Sequence, residues 1–137
     1  MMLFKTYLSK SPLHGIGIFA GEDIALGSKV WEFTEEIDLC ISVDKISTLP
    51  LLQQEILFFY GYREVKTKDL ILCADNARHF NFTKYPNTGS PTDSDDFSSF
   101  ALRDIAKGEE LTFSVLEDDD AEQKLGKDLY HELLPVV

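Results

Sequence analysis

Short strand-like segments recur along the chain, and a turn or a loop separates most of them from the next. They cover residues 4–8, 16–20, 29–34, 70–73, 97–102 and 110–115. Apolar and polar residues alternate in two of them, 4–8 and 29–34, which is the period of a half-buried strand. Gly27 and Gly108 suit the turns that precede two of the strands. The chain is therefore predicted to fold mainly from short β-strands.

One helix is predicted in the middle of the chain, where the apolar period changes from that of a strand to that of a helix. The residues that recur at helical spacing are Leu51, Leu52, Glu55, Ile56, Phe59 and Tyr60. Pro50 suits the first turn of this helix because the N–H that proline lacks has no helical partner there. Gly61 suits its end.

A second helix is predicted over residues 119–134. The apolar residues that step by four along one face are Ala121, Leu125, Leu129 and Leu133. The acidic run 117–120 lies at the helix N-terminus, where carboxylates cap free N–H groups and meet the positive end of the helix dipole. Gly126 is an unfavourable residue inside a helix. Together the strands and helices predict an α+β fold that is mainly β.

The formal net charge of the 137-residue chain is −11, which disfavours nucleic acid as a partner because phosphates are bound by lysine and arginine. A basic protein or peptide would be attracted to this surface, although solubility alone also explains the charge. No apolar run approaches the roughly 20 residues that span a bilayer, and the N-terminus lacks the features of a signal peptide. We expect a single domain over residues 1–137, soluble and cytoplasmic, with no membrane partner.

The two cysteines, Cys40 and Cys73, lie far apart in the sequence and belong to no CxxC motif or Cys/His cluster. We expect two buried, reduced thiols. No set of metal ligands is visible, so no metal site is predicted.

Three polar or glycine-rich segments carry the candidate functional residues. They read SPLHGIGIFA at 11–20, DNARHFNFT at 75–83 with PNT at 86–88, and ALRDI at 101–105 with GEELT at 108–112. Taken one at a time, they are a tight turn, a polar loop and a strand–turn–strand unit. Their order and spacing carry more information than any one of them.

In that order, the three segments resemble the signature of the SET domain, the fold of S-adenosylmethionine-dependent protein-lysine methyltransferases. That family opens with a Gly-x-Gly strand, continues with an R-F-x-N-H-S-x-x-P-N loop and closes with A-x-R-D-I-x-x-G-E-E-L-T. The resemblance covers about residues 6–117 and is strongest to short bacterial members. Residues 49–62 look like the helical insert of that group.

The resemblance implies small curved β-sheets around a knot-like crossing, in which the Asn81 segment passes beneath the C-terminal loop. It also implies a site for S-adenosylmethionine, and an aromatic channel through which a lysine of a basic protein or peptide enters from the opposite face. The residues implied at the cofactor site are His14, Gly15, Ile16, Gly17, Arg78, Phe80, Asn81, Phe82 and Phe113. Tyr60 and Tyr62 are candidates for the channel wall.

Two positions depart from the family pattern. Phe82 stands where the family has the histidine of its N-H-S triplet, and Val115 stands where it has the catalytic tyrosine. Both changes fall at the implied active site. One hypothesis is an active methyltransferase with a substitute hydroxyl from Tyr60, Tyr62 or Tyr85. The other is a degenerate SET domain that binds a peptide, a partner or the cofactor without turnover. A third, an unrelated small β-rich binding domain, requires the motif match to be accidental.

Overall fold

Small β-sheets and short helices make up the computed structural model, which describes residues 1–90 and 97–136. The strands are β1 (Thr6–Lys10), β2 (Ile16–Ala20), β3 (Lys29–Glu32), β4 (Leu39–Ile41), β5 (Tyr62–Arg63), β6 (Leu70–Leu72), β7 (Asn81–Phe82), β8 (Thr88–Gly89), β9 (Ser98–Ala101) and β10 (Glu110–Phe113). The α-helices are α1 (Val43–Ser47), α2 (Leu51–Tyr60), α3 (Ala121–Leu125) and α4 (Lys127–Leu133). Turns of 3₁₀ helix lie at Asn76–His79 and Val115–Glu117. The predicted α+β class, mainly β, is confirmed.

The strands form three sheets with the orders β1-β2-β10-β7, β3-β9-β8 and β4-β6-β5. Strand β2 lies between β1 and β10, and it contributes Ile18 and Ala20, both fully buried, to the core. The largest fully buried aliphatic side chains are Ile18, Ile24, Val30, Leu70, Ile71, Ile105, Leu111 and Val115. The residues of the core come from all three sheets, so the sheets pack on one another around it.

The crossing of β7 and β10 is the central feature of the architecture. The two strands pair in parallel, with Thr112 opposite Asn81 and Phe113 opposite Phe82. Beside them the buried side chain of Asn87 completes the contact. Its Oδ1 accepts from the N–H of Thr112 at 2.9 Å, and its Nδ2 donates to the carbonyl of Glu110 at 2.8 Å. The segment that carries Asn81 and Asn87 is thereby fixed against the C-terminal strand, as the resemblance implies.

The C-terminal helix does not run continuously over 119–134. It forms α3 and α4, which meet at Gly126, where φ is +76° and ψ is 156°. That conformation lies outside the helical region and is open mainly to glycine, so the helix breaks there.

The acidic run 117–120 does not cap the C-terminal helix as predicted. Asp120 occupies the N-cap of α3, but its side chain makes no capping hydrogen bond. Instead, the buried carboxylates of Asp118 and Asp120 form ion pairs with Lys124 and Arg63. Lys124 also donates to the carbonyl of Gly61. The run therefore ties α3 to strand β5 by charge pairing.

Helix α2 is present where it was predicted, with Pro50 as its N-cap residue and Gly61 as its C-cap residue. None of its residues is buried, and Leu51 and Phe59 are 77% and 70% exposed. Helical spacing of apolar residues indicated the element correctly but not its burial. Cys40 is also exposed rather than buried, whereas Cys73 is buried as expected.

Within residues 1–90 and 97–136, none of the helices has both the length and the hydropathy required to cross a lipid bilayer.

We expect Asn87→Ala to lower the free energy of unfolding by about 3 kcal/mol. The substitution leaves the buried Thr112 N–H and the Glu110 carbonyl without their partner, and each such group costs about 1–3 kcal/mol. Urea unfolding measures the change. The control is Asn76→Ala, which loses one hydrogen bond of 3.3 Å to Thr6 and should cost under about 1 kcal/mol. Equal effects of the two variants would contradict this role for Asn87.

Candidate functional site

An open cavity of about 1120 Å³ contains most of the residues that the sequence motifs point to. Every residue predicted at the cofactor site except Gly17 lines it: His14, Gly15, Ile16, Arg78, Phe80, Asn81, Phe82 and Phe113. Tyr60 and Tyr62 line it as well. The structure thus brings the glycine-containing turn, the asparagine loop and the two tyrosines to one space.

The two glycines of the Gly-x-Gly motif have different environments. Gly15 has φ +47° and lines the cavity, and a Cβ placed there would meet nothing within 4 Å. Gly17 lies beneath it, where a Cβ would collide with the carboxylate of Glu110 and come within 3.2 Å of Asn81 Nδ2. Gly15 leaves an open stretch of backbone at the cavity, whereas Gly17 allows close internal packing.

Asn81 holds the Gly-x-Gly turn in place. Its Nδ2 donates to the carbonyl of His14 at 2.9 Å and to Glu110 Oε1 at 2.8 Å, with a longer contact of 3.3 Å to the carbonyl of Ile16. Glu110 Oε2 in turn accepts from Ser11 Oγ at 2.9 Å. The donor of Asn81 is therefore committed within the protein. Its Oδ1 accepts no hydrogen bond from the residues that the structure describes, which leaves it available to a ligand.

Aromatic rings form one wall of the cavity. The Phe113 ring lies 4.5 Å from Phe82, 5.7 Å from Phe80 and 6.4 Å from Tyr62, measured between centroids. Phe82, at the position of the family's histidine, adds to this wall and brings no polar side-chain atom. The arrangement can hold a flat or apolar group against the rings.

The tyrosines that were candidates for a substitute hydroxyl differ in position. Tyr85 is 79% exposed and does not line the cavity. Tyr60 lies at its edge, 38% exposed, under the guanidinium of Arg78 at 5.6 Å. Tyr62 lines the cavity and is half-buried, and burial raises its pKa well above the usual value, with smaller contributions from nearby Cys73 and Glu117. Tyr62 therefore keeps its hydroxyl protonated at neutral pH.

Val115 occupies the core instead of the cavity. It begins the 3₁₀ turn that follows β10, it is 1% exposed, and it does not line the cavity. The position that carries the family's tyrosine hydroxyl thus contributes no polar group here, and it does not block the cavity either.

Arg78 stabilises the loop around the site. Its Nε and Nη2 donate to the carbonyl of Cys73 at 3.0 and 2.8 Å. This anchors the 3₁₀ turn Asn76–His79 to the end of β6 and places the guanidinium beside Tyr60. Arg78 therefore has a clear structural role at the cavity edge.

Sequence reasoning missed several residues that line the cavity. Trp31 does so with a buried Nε1 that finds no partner among the residues that the structure describes. Cys73 also lines it, and burial raises the pKa of its thiol to about 12. Glu117 places a carboxylate there. Strand alternation indicates that Trp31 has a buried side, but no local pattern indicates that a cavity lies beside it.

The apolar face of the C-terminal helices closes another side of the cavity. The step-of-four spacing predicted this face, and the residues from it that line the cavity are Leu125, Leu129 and Leu133. The spacing gave no information on what the face covers.

Within residues 1–90 and 97–136, no group of three or more His, Cys, Asp or Glu side chains could hold a metal ion.

The SET-domain family profile matches residues 15–114, and the chain belongs to the SET-domain family. The matched range begins at Gly15 of the Gly-x-Gly turn and ends just after β10, so it includes the second and third sequence motifs and residues 15–20 of the first.

Solved structures with the same fold include Polycomb Repressive Complex 2 of Chaetomium thermophilum bound to S-adenosylmethionine. The similarity extends over 91% of this chain and 17% of that one, with 25% identity and a TM-score of 0.64. A structure of the same complex with H3K27me3 and H3K27M matches 81% of this chain and 14% of that one, at 25% identity and a TM-score of 0.58. This chain therefore spans about a sixth of the length of those chains.

A candidate histone methyltransferase of Plasmodium falciparum is also similar. It covers 82% of this chain and 94% of its own, with 21% identity and a TM-score of 0.56. At that identity the likeness shows the fold.

We expect the two motif glycines to respond differently to alanine. Gly17→Ala should lower the free energy of unfolding by about 1–3 kcal/mol, because the new Cβ overlaps the Glu110 side chain that Asn81 and Ser11 hold. Gly15→Ala should cost about 1 kcal/mol, from its positive φ alone. Thermal unfolding of both variants compares them, and a smaller loss for Gly17→Ala would contradict the assignment.

Proposed function

We propose that this chain is an S-adenosylmethionine-dependent protein-lysine methyltransferase in which Tyr62 supplies the hydroxyl at the methyl-transfer site. The observation that carries the proposal is the single cavity that joins the Gly-x-Gly turn to Tyr62. The cofactor residues and the substitute hydroxyl need to share one space for methyl transfer, and Phe82 and Val115 do not close it.

The residues at one end of the cavity fit S-adenosylmethionine. The open backbone at Gly15 allows the amino-acid part of the cofactor to approach, and the unpaired Oδ1 of Asn81 is an acceptor for its ammonium group. The Phe82–Phe113 wall suits a flat adenine ring. When bound, the cofactor supplies an activated methyl group and its leaving group.

The protein has to present a lysine side chain as a neutral amine. A lysine with a pKa near 10.4 is charged at neutral pH, and deprotonation costs roughly 4–5 kcal/mol. An aromatic, partly dry cavity lowers that cost because it disfavours the charged form. Tyr62 remains protonated, so its hydroxyl positions the amine by hydrogen bonding and does not act as the base.

The proposed substrate is a lysine-bearing segment of a basic protein. The net charge of −11 favours a basic partner. The similar Chaetomium thermophilum complex has a structure with H3K27me3 and H3K27M, which supports a peptide from a basic protein. We further propose that residues 1–137 act as one domain, with a core over about 6–117, since the C-terminal helices line the same cavity as that core.

A second function is supported by Val115. Its burial leaves the family's tyrosine position without a hydroxyl, which favours a SET domain that binds a peptide or the cofactor without turnover. The two functions share the cavity and differ in whether methyl transfer occurs.

We expect calorimetric titration with S-adenosylmethionine to show micromolar binding. Asn81→Ala should weaken it about tenfold or more, because it removes the free acceptor and the bonds that hold the His14 carbonyl. Asn76→Ala, in the neighbouring turn, is the matched control and should bind normally. No detectable binding at millimolar cofactor would rule out the methyltransferase and leave the binding module.

We expect methyl transfer from radiolabelled cofactor to an array of basic peptides, and Tyr62→Phe should lower kcat about tenfold. That is the effect of losing one hydrogen bond made in the transition state. Tyr85→Phe is the control, since Tyr85 lies outside the cavity. Transfer at the normal rate by Tyr62→Phe would disprove the role of this hydroxyl, and absence of transfer by the wild type would favour the binding module.

A further inference from the structure

Glu117 lines the same cavity as Tyr62, and it lies near enough for its charge to contribute to the raised pKa of the Tyr62 hydroxyl. It is the last residue of the 3₁₀ turn Val115–Glu117, two positions after the buried valine. Its Oε1 accepts from the backbone N–H of Ser90 at 2.8 Å, which fixes the carboxylate beside the end of β8. Gly89 lies beside the same oxygen, since a Cβ placed there would be 3.6 Å from it.

No basic side chain neutralises this carboxylate. Within residues 1–90 and 97–136, no side-chain nitrogen of lysine, arginine or histidine lies within 4 Å of a Glu117 carboxylate oxygen. Burial raises the pKa of Glu117, because the loss of water outweighs its hydrogen bonds to Ser90 and Ser114. A partly buried anion without a counter-ion is an unusual arrangement, since burial of a charge is costly unless it is paired.

Two other carboxylates that line the cavity, Glu64 and Asp118, have partners of their own. Asp118 pairs with Lys124, and the carboxylate of Glu64 accepts from the N–H of Thr67 at 2.6 Å. Lys66 also lines the cavity. Hydrogen bonds from the backbone of Thr67 and Lys66 outweigh burial and lower the pKa of Glu64, and the charge of Lys66 adds a smaller lowering. Of these three carboxylates in the described chain, Glu117 alone has neither an ion pair nor a lysine whose charge acts on it, and its bonds come only from serine.

We propose that Glu117 binds the ammonium group of the incoming lysine side chain and selects cationic side chains for the cavity. This inference rests on the proposed function, because it takes the substrate lysine to enter the part of the cavity that Tyr62 and Glu117 line. A carboxylate favours the charged form of a nearby amine, so the contribution of Glu117 falls on binding and not on methyl transfer. Tyr62, which lines the same part of the cavity, is then the residue that holds the amine for transfer.

The alternative is a purely structural role, because the bond from Ser90 links the 3₁₀ turn to β8. Glu117→Gln separates the two roles. The glutamine keeps a carbonyl oxygen that can accept from Ser90, and it removes the negative charge. Glu55→Gln is the matched control, with the same change of charge at an exposed position of α2 outside the cavity.

The test uses n-butylammonium, which carries the lysine cation, and 1-pentanol, a neutral molecule of similar length. Both are titrated into the full chain and followed by the amide NMR signal of Ser90. We expect butylammonium to shift this signal, and Glu117→Gln to weaken its binding about tenfold, as expected for a hydrogen bond to a charged group. Glu117→Asp should recover part of the affinity. Pentanol binding should be the same in both proteins.

Equal binding of butylammonium to wild type and Glu117→Gln, or equal weakening by Glu55→Gln, would overturn the inference. Thermal unfolding checks that Glu117→Gln keeps the wild-type stability. The titration needs neither cofactor nor turnover, so a failure of methyl transfer leaves its outcome intact. If methyl transfer is found, Glu117→Gln should raise KM without lowering kcat, because the lost carboxylate stabilised the charged amine and not the neutral one that reacts. A fall in kcat with unchanged KM would also contradict a binding role.

Discussion

The side-chain amide of Asn87 is the interaction on which the rest of the structure depends. Strands β7 and β10 are parallel and distant in sequence, so no hairpin turn sets their register. The side-chain amide of Asn87 sets the register, because it donates to the carbonyl of Glu110 and accepts from the N–H of Thr112. These are the two kinds of bond that the backbone of a neighbouring strand would make. The position of Asn81 follows from that register, because its side-chain amide reaches the His14 carbonyl only when β7 lies against β10. The cofactor end of the cavity therefore depends on one buried amide.

Two positions of the site carry apolar side chains where the family pattern has polar ones. Phe82 places an apolar ring where the family pattern has the polar ring of histidine, and Val115 places an apolar side chain in the core where the pattern has a tyrosine hydroxyl. Tyr62 and Glu117 are among the polar residues that line the cavity, and they are the two that we assign to the substrate. Burial raises the pKa of the Tyr62 hydroxyl, which stays protonated, and it also raises the pKa of the Glu117 carboxyl. Both effects have the same physical origin, since burial removes the water that would otherwise stabilise the charged form.

The C-terminal helices belong to the site through charge pairs. Asp118 and Asp120 are buried and bind Lys124 and Arg63, so the acidic run fixes α3 against β5. Buried ion pairs stabilise little relative to an apolar contact, but removal of one partner is costly. The two ion pairs do fix the position of α3 relative to β5. The leucines of α3 and α4 then cover the cavity, which would stay more open to water without them.

The order of the three motifs identified the family from the sequence, and local alternation located strands such as Lys29–Glu32. Local patterns record which side of an element meets the core, because strands and helices repeat with fixed periods. They could not separate Gly15 from Gly17, rank Tyr62 above Tyr85, or show that α2 is exposed. Those distinctions depend on contacts between residues far apart in the chain, such as Glu110 over Gly17 and Ser90 beside Glu117. Tertiary packing alone brings such residues together, so it alone decided the shape and charge of the cavity.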